Sequence, residues 1–452
     1  MTEELNTLLA ISPIDGRYYN ITEEISDYFS EYAFIKYRVI VEINWLKFFL
    51  KNKDADVEDD FSDILDNVIN EFNLSEAKKV KIIEDKTNHD VKAIEYYIRE
   101  KLKENGLEKY CNFVHFACTS EDINNLAYGK MITEFIENIL LKDCEELIDN
   151  VKTQAKKLSE IPMLGHTHGQ TATPTTVGKE LAVFVYRWES ILKLIKGLKL
   201  KGKFSGAVGN FNAHIISYPD LNWLKLAKEF VEQEGLEFNP LTTQIESHDI
   251  ISILFSYMKA FNNITMDFNS DMWIYISNKY FKQKVVSNEV GSSVMPHKVN
   301  PINHENSMAN IRIANSIFDS LNNNLQVSRM QRDLSDSSML RNIGVGFAHS
   351  IISINQTIKG FSKMEIDKVV LERDLQDSPE ILSEAIQTVL RKNNYNNAYE
   401  LLKEFTRGKK ITLDDLKEFI KTLNIEEDDK INLLKLTPEK YIGLSKELCD
   451  FI

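Results

Sequence analysis

Two short segments of the sequence carry the side chains best suited to acid–base chemistry. Residues 291–301 read GSSVMPHKVNP and bring together two hydroxyls, an imidazole, an ammonium and an amide. The glycine and the two prolines exclude a helix through this segment. It is therefore predicted to be a functional loop, with a plain polar connector as the alternative.

The second segment, residues 165–170, reads GHTHGQ and holds the pair His166 and His168. Two histidines at this spacing can bind a metal, but no nearby carboxylate or cysteine supplies a third ligand at a recognisable spacing. Histidine titrates near neutral pH, so a general acid or base is the favoured interpretation. A structural histidine is the alternative for either residue.

Other features of the sequence narrow the class of protein. It has no GxSxG, GxxxxGK[ST] or HExxH motif, and 54 Lys and Arg against 68 Asp and Glu give a net charge of −14. The charge argues against nucleic acid or an anionic membrane as the main partner. The four cysteines form no CxxC pair, the first residues lack a basic signal-peptide region, and no apolar run reaches the length of a membrane span. These features predict a cytoplasmic location.

Long amphipathic helices are predicted to position these segments. Apolar residues recur at alternating steps of four and three in three stretches, which is the pattern of bundle helices. The first stretch runs from Val177 to Leu198, the second from Ile250 to Phe268 and the third from Met308 to Leu325. Val185 and Leu192 add a second stripe to the first stretch, so two of its faces are predicted to be buried. The sequence thus predicts an all-α fold with a long central helical bundle.

The two ends of the chain have shorter helical patterns. We predict three domains: a helical N-terminal domain at residues 1–111, the central bundle at 112–363 and a helical C-terminal domain at 364–452. Thr412 and Asp415 resemble a capping box at the start of a C-terminal helix. The stretch from Phe204, with Gly206 and Gly209, predicts a hairpin or an irregular loop.

The loop sequence resembles the GSSxMPxKxNP signature of the fumarase/aspartase superfamily. Further blocks make the chain similar to the adenylosuccinate lyase family within it. They are residues 12–18 (SPIDGRY), 87–96 (TNHDVKAIEY), 118–125 (CTSEDINN), 167–170 (THGQ) and 331–337 (QRDLSDS). The signature is specific for fold and reaction type, whereas the other blocks point to the family, and the resemblance spans nearly the whole chain.

The resemblance implies a fumarase/aspartase-like fold and an anti β-elimination that releases fumarate. The expected substrates are adenylosuccinate, which gives AMP, and the succinylated imidazole carboxamide nucleotide SAICAR, which gives AICAR, in purine biosynthesis. Ser292 is the implied general base and His168 the implied general acid. The implied supporting catalytic residues are His89, Lys298 and Glu305, although Glu305 is equally interpreted as a charge at a helix start.

The same resemblance implies a binding site for a substrate with two carboxylates and a phosphate. Arginine suits the phosphate because its planar fork pairs bidentately with phosphate oxygens. His248 is interpreted as structural and Gln244 as the likelier substrate contact. The implied substrate-binding residues are Arg17, Tyr18, Asn88, Asp90, Thr119, Ser120, Thr167, Gln244, Asn300, Arg332, Ser337 and Arg341.

Family members build each site from segments of three subunits, so the resemblance implies a homotetramer with shared active sites. It implies no cofactor and no metal. Three alternatives remain: a sister enzyme such as argininosuccinate lyase, a non-enzymatic protein on this fold, and a metal hydrolase built on the histidine pair. The first would not need the Arg332 and Arg341 pair, the second would be expected to have lost Ser292, His168 or Lys298, and the third would be sensitive to a chelator.

Overall fold

The computed structural model describes residues 7–53, 57, 59–284, 294–295, 297–408 and 411–452. Within these residues the protein is built of α-helices with three small two-stranded sheets, which confirms the all-α prediction. The first ten helices are α1 Tyr19–Thr22, α2 Ser26–Phe29, α3 Glu31–Asn52, α4 Phe61–Asn70, α5 Leu74–Thr87, α6 Asp90–Glu104, α7 Ser120–Phe135, α8 Leu141–Lys157, α9 Val177–Gly197 and α10 Asn212–Ser217. The next ten are α11 Trp223–Gln233, α12 Asp249–Ser277, α13 Ile302–Leu325, α14 Ser335–Leu340, α15 Ile343–Ser362, α16 Lys368–Gln376, α17 Ser383–Lys392, α18 Ala398–Thr406, α19 Leu413–Thr422 and α20 Glu427–Lys435.

The three predicted bundle helices are confirmed as α9, α12 and α13. Their apolar stripes are largely buried: Trp188 of α9, Phe261 of α12 and Phe318 of α13 have no exposed surface. Val185 and Leu192 are also buried, so α9 has the two buried faces that its second stripe predicted. The predicted capping box at Thr412 and Asp415 is present at the start of α19.

The strands form short pairs between the helices. They are β1 Pro162–Thr167, β2 Gln170–Thr176, β3 Lys201–Gly202, β4 Glu237–Phe238, β5 Phe281–Gln283 and β6 Met364–Ile366. β1 and β2 form an antiparallel hairpin, β3 and β4 pair in parallel, and β5 and β6 pair antiparallel. After β3 the chain continues as an irregular loop into α10, so of the two structures predicted for the stretch from Phe204 the loop is the one observed.

The chain divides into two compact units, and five helices (α8, α9, α12, α13 and α15) contribute residues to both. Unit 1 comprises Met1–Cys144, Ile191–Asn263 and Ala309–Asn355. Unit 2 comprises Glu145–Ser190, Ile264–Met308 and Gln356–Ile452. Every contact described below lies within one unit.

Unit 1 has a core of helices packed through aromatic rings. The Phe318 ring centroid lies 5.3 Å from those of Phe255 and Phe347. A side chain at Gly344, near the start of α15, would place its Cβ 2.3 Å from the Cβ of Phe29. Gly344 and Gly346 therefore allow close packing of α15 against its neighbours.

Unit 2 combines the other halves of the long helices with the C-terminal helices. The Phe268 ring centroid lies 5.2 Å from that of Trp188 and 5.4 Å from that of Phe361. A separate buried cluster includes Leu164 of β1 and apolar residues of α16 to α20. In the described part of the chain, no helix is both long enough and apolar enough to span a bilayer.

Candidate active site

The residues implied in catalysis and binding fall into two groups, one in each unit. Unit 1 holds Arg17, Tyr18, Asn88, His89, Asp90, Thr119, Ser120, Gln244, Arg332, Ser337 and Arg341. Unit 2 holds Thr167, His168, Lys298, Asn300 and Glu305. Ser292, the implied general base, lies outside the described residues.

In unit 1, the junction between α5 and α6 presents three of these residues in sequence. Asn88 ends α5 in the left-handed conformation with φ of 50°, which asparagine tolerates better than most residues. His89 is the N-cap of α6, and its Nδ1 accepts the backbone N–H of Lys92 at 3.1 Å. An accepting Nδ1 means that the neutral imidazole carries its proton on Nε2. The exposed His89 ring is therefore a hydrogen-bond donor through Nε2.

Asp90, the first residue of α6, lies between two arginines. Its Oδ2 is 2.6 Å from Nη2 of Arg38 on α3 and 3.5 Å from Nη2 of Arg341. Burial by itself raises the pKa of Asp90, but Arg38, the Val91 N–H and Arg341 together lower it below its usual value. The carboxylate thus stays ionised and holds both guanidinium groups.

Arg341 and Ser337 lie on one face of the helical turn at α14. Nη1 of Arg341 donates to the hydroxyl and to the carbonyl of Ser337, each at 3.0 Å. Nε of Arg341 is 3.7 Å from Glu31. Contacts on three sides fix the guanidinium while 37% of the side chain remains exposed.

Arg332 is the second guanidinium of this group and is more deeply buried. Its Nη1 lies 2.9 Å from Oε1 of Glu121 and 3.5 Å from Oε1 of Gln244. Its Nη2 lies 3.5 Å from Oδ1 of Asp336. These contacts place Gln244 beside Arg332 and give the guanidinium two acidic partners.

His248 is buried beside the same carboxylates. Its Nε2 is 3.7 Å from Oδ2 of Asp336, and its Nδ1 is 4.0 Å from Oε2 of Glu246. Neither ring nitrogen has a hydrogen-bond partner among the residues that the structure describes. His248 is thus buried next to Asp336, the carboxylate that also contacts Arg332.

Thr119 and Ser120 mark the start of α7. Thr119 is the N-cap and forms a capping box with Asp122. The main chain just before it includes His115 and Ala117 with φ of 58° and 59°. Nδ1 of His115 lies 2.6 Å from Oε1 of the buried Glu42. Burial by itself lowers the pKa of His115, but the Glu42 carboxylate raises it above its usual value.

The remaining two residues of unit 1, Arg17 and Tyr18, lie in the turn before α1. Arg17 is exposed and Tyr18 is half-buried. The backbone N–H of Tyr18 donates to the carbonyl of Pro13 at 2.9 Å, which closes the turn. The turn therefore presents the Arg17 side chain to solvent.

In unit 2, His168 lies at the tip of the β1–β2 hairpin. It forms a two-residue connection with Gly169, and the two have φ of 54° and 72°. Two positive φ values are the mark of a type I′ turn. Thr167 pairs with Gln170 at the base of this turn, and both His166 and His168 are exposed.

The last residues of the signature loop, which the structure describes from residue 297 onwards, lead into α13. The N–H of exposed Lys298 donates to the carbonyl of Met295 at 3.0 Å, and Asn300 is half-buried. Glu305 lies in the first turn of α13 and accepts a hydrogen bond from Nε1 of Trp273 at 3.1 Å. Among the described residues, no group of three or more His, Cys, Asp or Glu side chains is arranged to hold a metal ion.

Three polar residues of the unit 1 group were missed by the sequence analysis. Arg38, which is 1% exposed, bonds Asp90, and its Nε donates to Asn124 at 2.8 Å. Asn124 in turn donates to Glu121 at 2.7 Å. Arg38 stands in an apolar run of α3, and Glu42 follows it by one helical turn. Two charged residues on one face of an otherwise apolar helix indicate a buried polar network, and this pattern could have revealed Arg38 from the sequence.

Comparison with known proteins identifies the fold and the family of this chain. The family described as Lyase matches residues 16–314, and the family described as Adenylosuccinate lyase C-terminal matches residues 328–442. Among solved structures, a fumarate lyase from Mesorhizobium has a TM-score of 0.77 at 16% identity and covers 95% of this chain and 97% of its own. A 3-carboxy-cis,cis-muconate lactonizing enzyme from Pseudomonas putida has a TM-score of 0.73 at 17% identity, with 96% and 98% covered. The fold is therefore that of the fumarase/aspartase superfamily.

Sequence relatives define the family more closely. Adenylosuccinate lyase of Legionella pneumophila (strain Corby) is 49% identical over 449 residues, which is 98% of each chain. Adenylosuccinate lyase of Escherichia coli (strain K12) is 44% identical over 453 residues, which is 99% of each chain. This chain belongs to the adenylosuccinate lyase family.

Proposed function

We propose that this protein eliminates fumarate from adenylosuccinate to give AMP, and from SAICAR to give AICAR, in purine nucleotide biosynthesis. The observation that carries the proposal is the pair of guanidinium groups, Arg332 and Arg341, at the two ends of α14. Each is oriented by acidic partners, and each retains N–H groups for a phosphate. A lyase whose substrate lacks a phosphate would not need this pair.

The phosphate end of the substrate is assigned to Arg332, Ser337 and Arg341, with Arg17 and Tyr18 as further contacts. Arginine has five N–H donors in a fixed fork, so a guanidinium already held by Asp90 can still bind phosphate oxygens. The acidic partners fix its orientation before substrate arrives, which lowers the entropic cost of binding.

The elimination needs a base, an acid and a site for developing charge. Ser292 takes the proton from the carbon next to the β-carboxylate, and His168 protonates the leaving nitrogen. The carbanion is delocalised into that carboxylate, which gains negative charge. Lys298 and Asn300 stabilise this charge, as fixed positive groups do in other eliminations and acyl transfers.

The other polar residues bind and orient the substrate. Thr119, Ser120 and Thr167 donate hydroxyl hydrogen bonds to the succinyl carboxylates, and Gln244 contacts the substrate beside Arg332. The Nε2–H of His89 donates to a substrate oxygen. Asn88 and Asp90 complete the binding residues at the α5–α6 junction, and Glu305 orients groups of the site from the start of α13.

Self-association is part of the proposal. We propose that the protein is a cytoplasmic homotetramer with shared active sites and that it uses neither metal nor cofactor. We also propose that each chain has three domains, at residues 1–111, 112–363 and 364–452. Large apolar side chains are exposed on the long helices, including Tyr186 of α9, Trp273 and Ile274 of α12 and Ile313 of α13. Exposed apolar groups of this size support burial against further subunits.

The test is an assay with purified protein, adenylosuccinate and a chelator, in which fumarate and AMP are both followed. We expect the two products in equal amounts, with the rate lowered at least ~10²-fold in Ser292→Ala. The chelator is expected to leave the wild-type rate unchanged, which a metal hydrolase would not allow.

Absence of fumarate from the wild-type reaction would contradict the proposal. The same assay with argininosuccinate would then decide whether the chain is a sister lyase with another leaving group. A protein that released no fumarate from either substrate would point to the non-enzymatic alternative.

A further inference from the structure

A fully buried ion pair lies beneath the start of α7. Oδ1 of Asp122 is 2.8 Å from Nζ of Lys203, and neither side chain has exposed surface. Removing two charges from water costs about as much as their attraction returns, so such a pair is a poor source of stability. The role of the ion pair is therefore to be found in the groups that Asp122 and Lys203 hold in place.

The Asp122 carboxylate joins two segments of the main chain. Its Oδ2 accepts the N–H of Thr119 at 2.8 Å and that of Gly206 at 3.1 Å. Its Oδ1 accepts the N–H of Ser205 at 2.9 Å. One side chain therefore fixes the N-cap of α7 and the irregular loop after β3.

Lys203 holds the same loop from the opposite side. Its ammonium donates to the carbonyl of Gly206 at 3.0 Å, and Gly206 has φ of 80°, a left-handed conformation that favours glycine. The backbone of Lys203 exchanges two hydrogen bonds, of 2.8 and 3.0 Å, with the side chain of Asn125 on α7. The loop is thus tied to α7 by its side chains and by its main chain.

The next residue of the loop reaches a predicted substrate contact. The carbonyl of Ala207 accepts a hydrogen bond from Nε2 of Gln244 at 2.9 Å. This bond directs the other amide atom, Oε1, towards Arg332. Asp122 is therefore linked to Thr119 by one hydrogen bond. It is linked to Gln244 through its bond to the Gly206 N–H, the main chain from Gly206 to Ala207, and the bond from Gln244 to the Ala207 carbonyl.

We propose that Asp122 and Lys203 are positioning residues that fix the positions of Thr119 and Gln244 relative to each other for substrate binding. The inference rests on the proposed function of this site. Neither residue touches substrate; both act through main-chain groups that they fix. A charged pair suits this task because an ionised carboxylate accepts several N–H bonds at once, and these bonds are stronger than neutral ones.

The test is Asp122→Asn in the full-length chain. The amide has nearly the shape of the carboxylate, but one of its two oxygens is replaced by an NH₂ donor. In one orientation the NH₂ group faces the N–H groups of Thr119 and Gly206, and in the other it faces the Ser205 N–H and the Lys203 ammonium. In either orientation donors face each other and hydrogen bonds are lost. We expect kcat/KM for adenylosuccinate to fall about tenfold or more, mainly through KM, because contacts made equally in ground and transition states change KM.

A second variant separates positioning from folding. Asp122→Asn with Lys203→Met leaves no buried charge unpaired, so its thermal stability is expected to recover towards that of the wild type. The catalytic defect is expected to persist because the N–H groups still lack the carboxylate. Recovery of kcat/KM together with stability would overturn the proposal.

Two further measurements test the route of the effect. In a Thr119→Val background, Asp122→Asn is expected to lower kcat/KM less than it does in the wild type, because coupled residues are not additive. Equal effects in both backgrounds would argue against action through Thr119. The matched control is Glu234→Gln, a buried carboxylate that contacts Lys130 of α7 at 3.2 Å, for which kcat/KM is expected to be unchanged.

Amide hydrogen exchange tests the positioning role of Asp122 independently of activity. Peptides that cover residues 117–121 and 203–208 are expected to exchange faster in Asp122→Asn than in the wild type. Unchanged protection of both peptides would overturn the positioning role. A wild-type protein that released no fumarate would instead refute the proposed function, and the exchange result would still stand.

Discussion

His168, the proposed general acid, has a left-handed backbone conformation that residues other than glycine seldom adopt. A left-handed φ at a residue other than glycine costs roughly 1–3 kcal/mol and is found most often at functional sites. In the two-residue connection with Gly169, asparagine would meet the demands of the turn with less strain. Asparagine would therefore satisfy the turn better, and a histidine at this position is what the proposed general-acid role requires.

This geometry allows a clean test of the acid. His168→Asn keeps a residue that tolerates positive φ, so the hairpin is expected to fold as in the wild type. We expect kcat for adenylosuccinate to fall by ~10²–10⁴ because the leaving nitrogen loses its proton donor. Steady-state kinetics with circular dichroism as the check on folding would measure this.

His166→Asn is the matched control on the same hairpin. His166 lies in β1, two residues before His168, and is expected to tolerate the change with little loss of kcat. Equal losses in both variants would contradict the assignment of the acid to His168. They would favour a joint role of the two imidazoles.

The phosphate assignment is best tested at Arg341 because Arg332 is paired with a buried carboxylate. Arg341→Met is expected to raise KM for adenylosuccinate about 10- to 100-fold, since hydrogen bonds to charged groups contribute about 1.5–3 kcal/mol. The change in kcat is expected to be smaller. The inhibition constant of AMP should rise with KM, because AMP carries the same phosphate.

Arg329→Met provides the comparison for this variant. Arg329 is 85% exposed and pairs with Asp333 in the same segment of the chain, so its loss is expected to leave KM unchanged. An Arg341→Met enzyme with the KM of the wild type would remove Arg341 from the substrate site.

A small cluster of charged and polar side chains joins helices α5 and α6. Glu76 of α5 lies 3.0 Å from Nζ of Lys101 and accepts the Tyr97 hydroxyl of α6 at 2.8 Å. Burial by itself raises the pKa of Glu76, but hydrogen bonds from Lys79, Tyr97 and Lys101 lower it to about 2. The ionised carboxylate therefore favours the folded state.

The sign of this pKa shift predicts a pH-dependent stability. Because the pKa is lower in the folded protein, the contribution is complete above the pKa of an unfolded glutamate and is lost as the pH falls towards 2. Glu76→Gln is expected to lower the free energy of unfolding by about 2 kcal/mol at pH 7. The difference should shrink between about pH 5 and pH 2, as measured by urea unfolding.

Glu100→Gln is the control for Glu76→Gln. Glu100 lies on the exposed face of α6, and its replacement is expected to change the free energy of unfolding by less than about 0.5 kcal/mol. A deficit in Glu76→Gln that did not vary with pH would mean that packing, not the carboxylate charge, joins the two helices.

For the whole molecule, the central prediction is the shared active site. Light scattering is expected to give four times the 52.2 kDa mass of the chain. Ser292→Ala and His168→Asn subunits are each expected to be nearly inactive alone, whereas a tetramer that contains both is expected to assemble some sites from intact segments. Random mixing in equal amounts is expected to restore about one quarter of the wild-type activity.

The control is each variant taken alone through the same dissociation and reassociation. A monomer with full activity would contradict the tetramer. A mixed tetramer without activity would place Ser292 and His168 of each site on the same subunit.

The helical fold and the family could both be predicted from the sequence. Bundle helices α9, α12 and α13 were predicted because their apolar residues follow the period of a helix over many turns, and that signal is local. The signature loop identifies the reaction type by residue order alone, and the other blocks, such as THGQ, identify the family.

Tertiary structure decided what depends on residues that are distant in sequence. The pairing of Asp90 with both Arg38 and Arg341, and the joining of Thr119 to Gln244 through Asp122, bring together segments that are up to 251 positions apart. No local pattern encodes such contacts, because each depends on how helices pack. The β1–β2 hairpin was missed for a related reason: its turn is formed by His168 and Gly169, and a histidine in the left-handed conformation is not a recognisable turn signal.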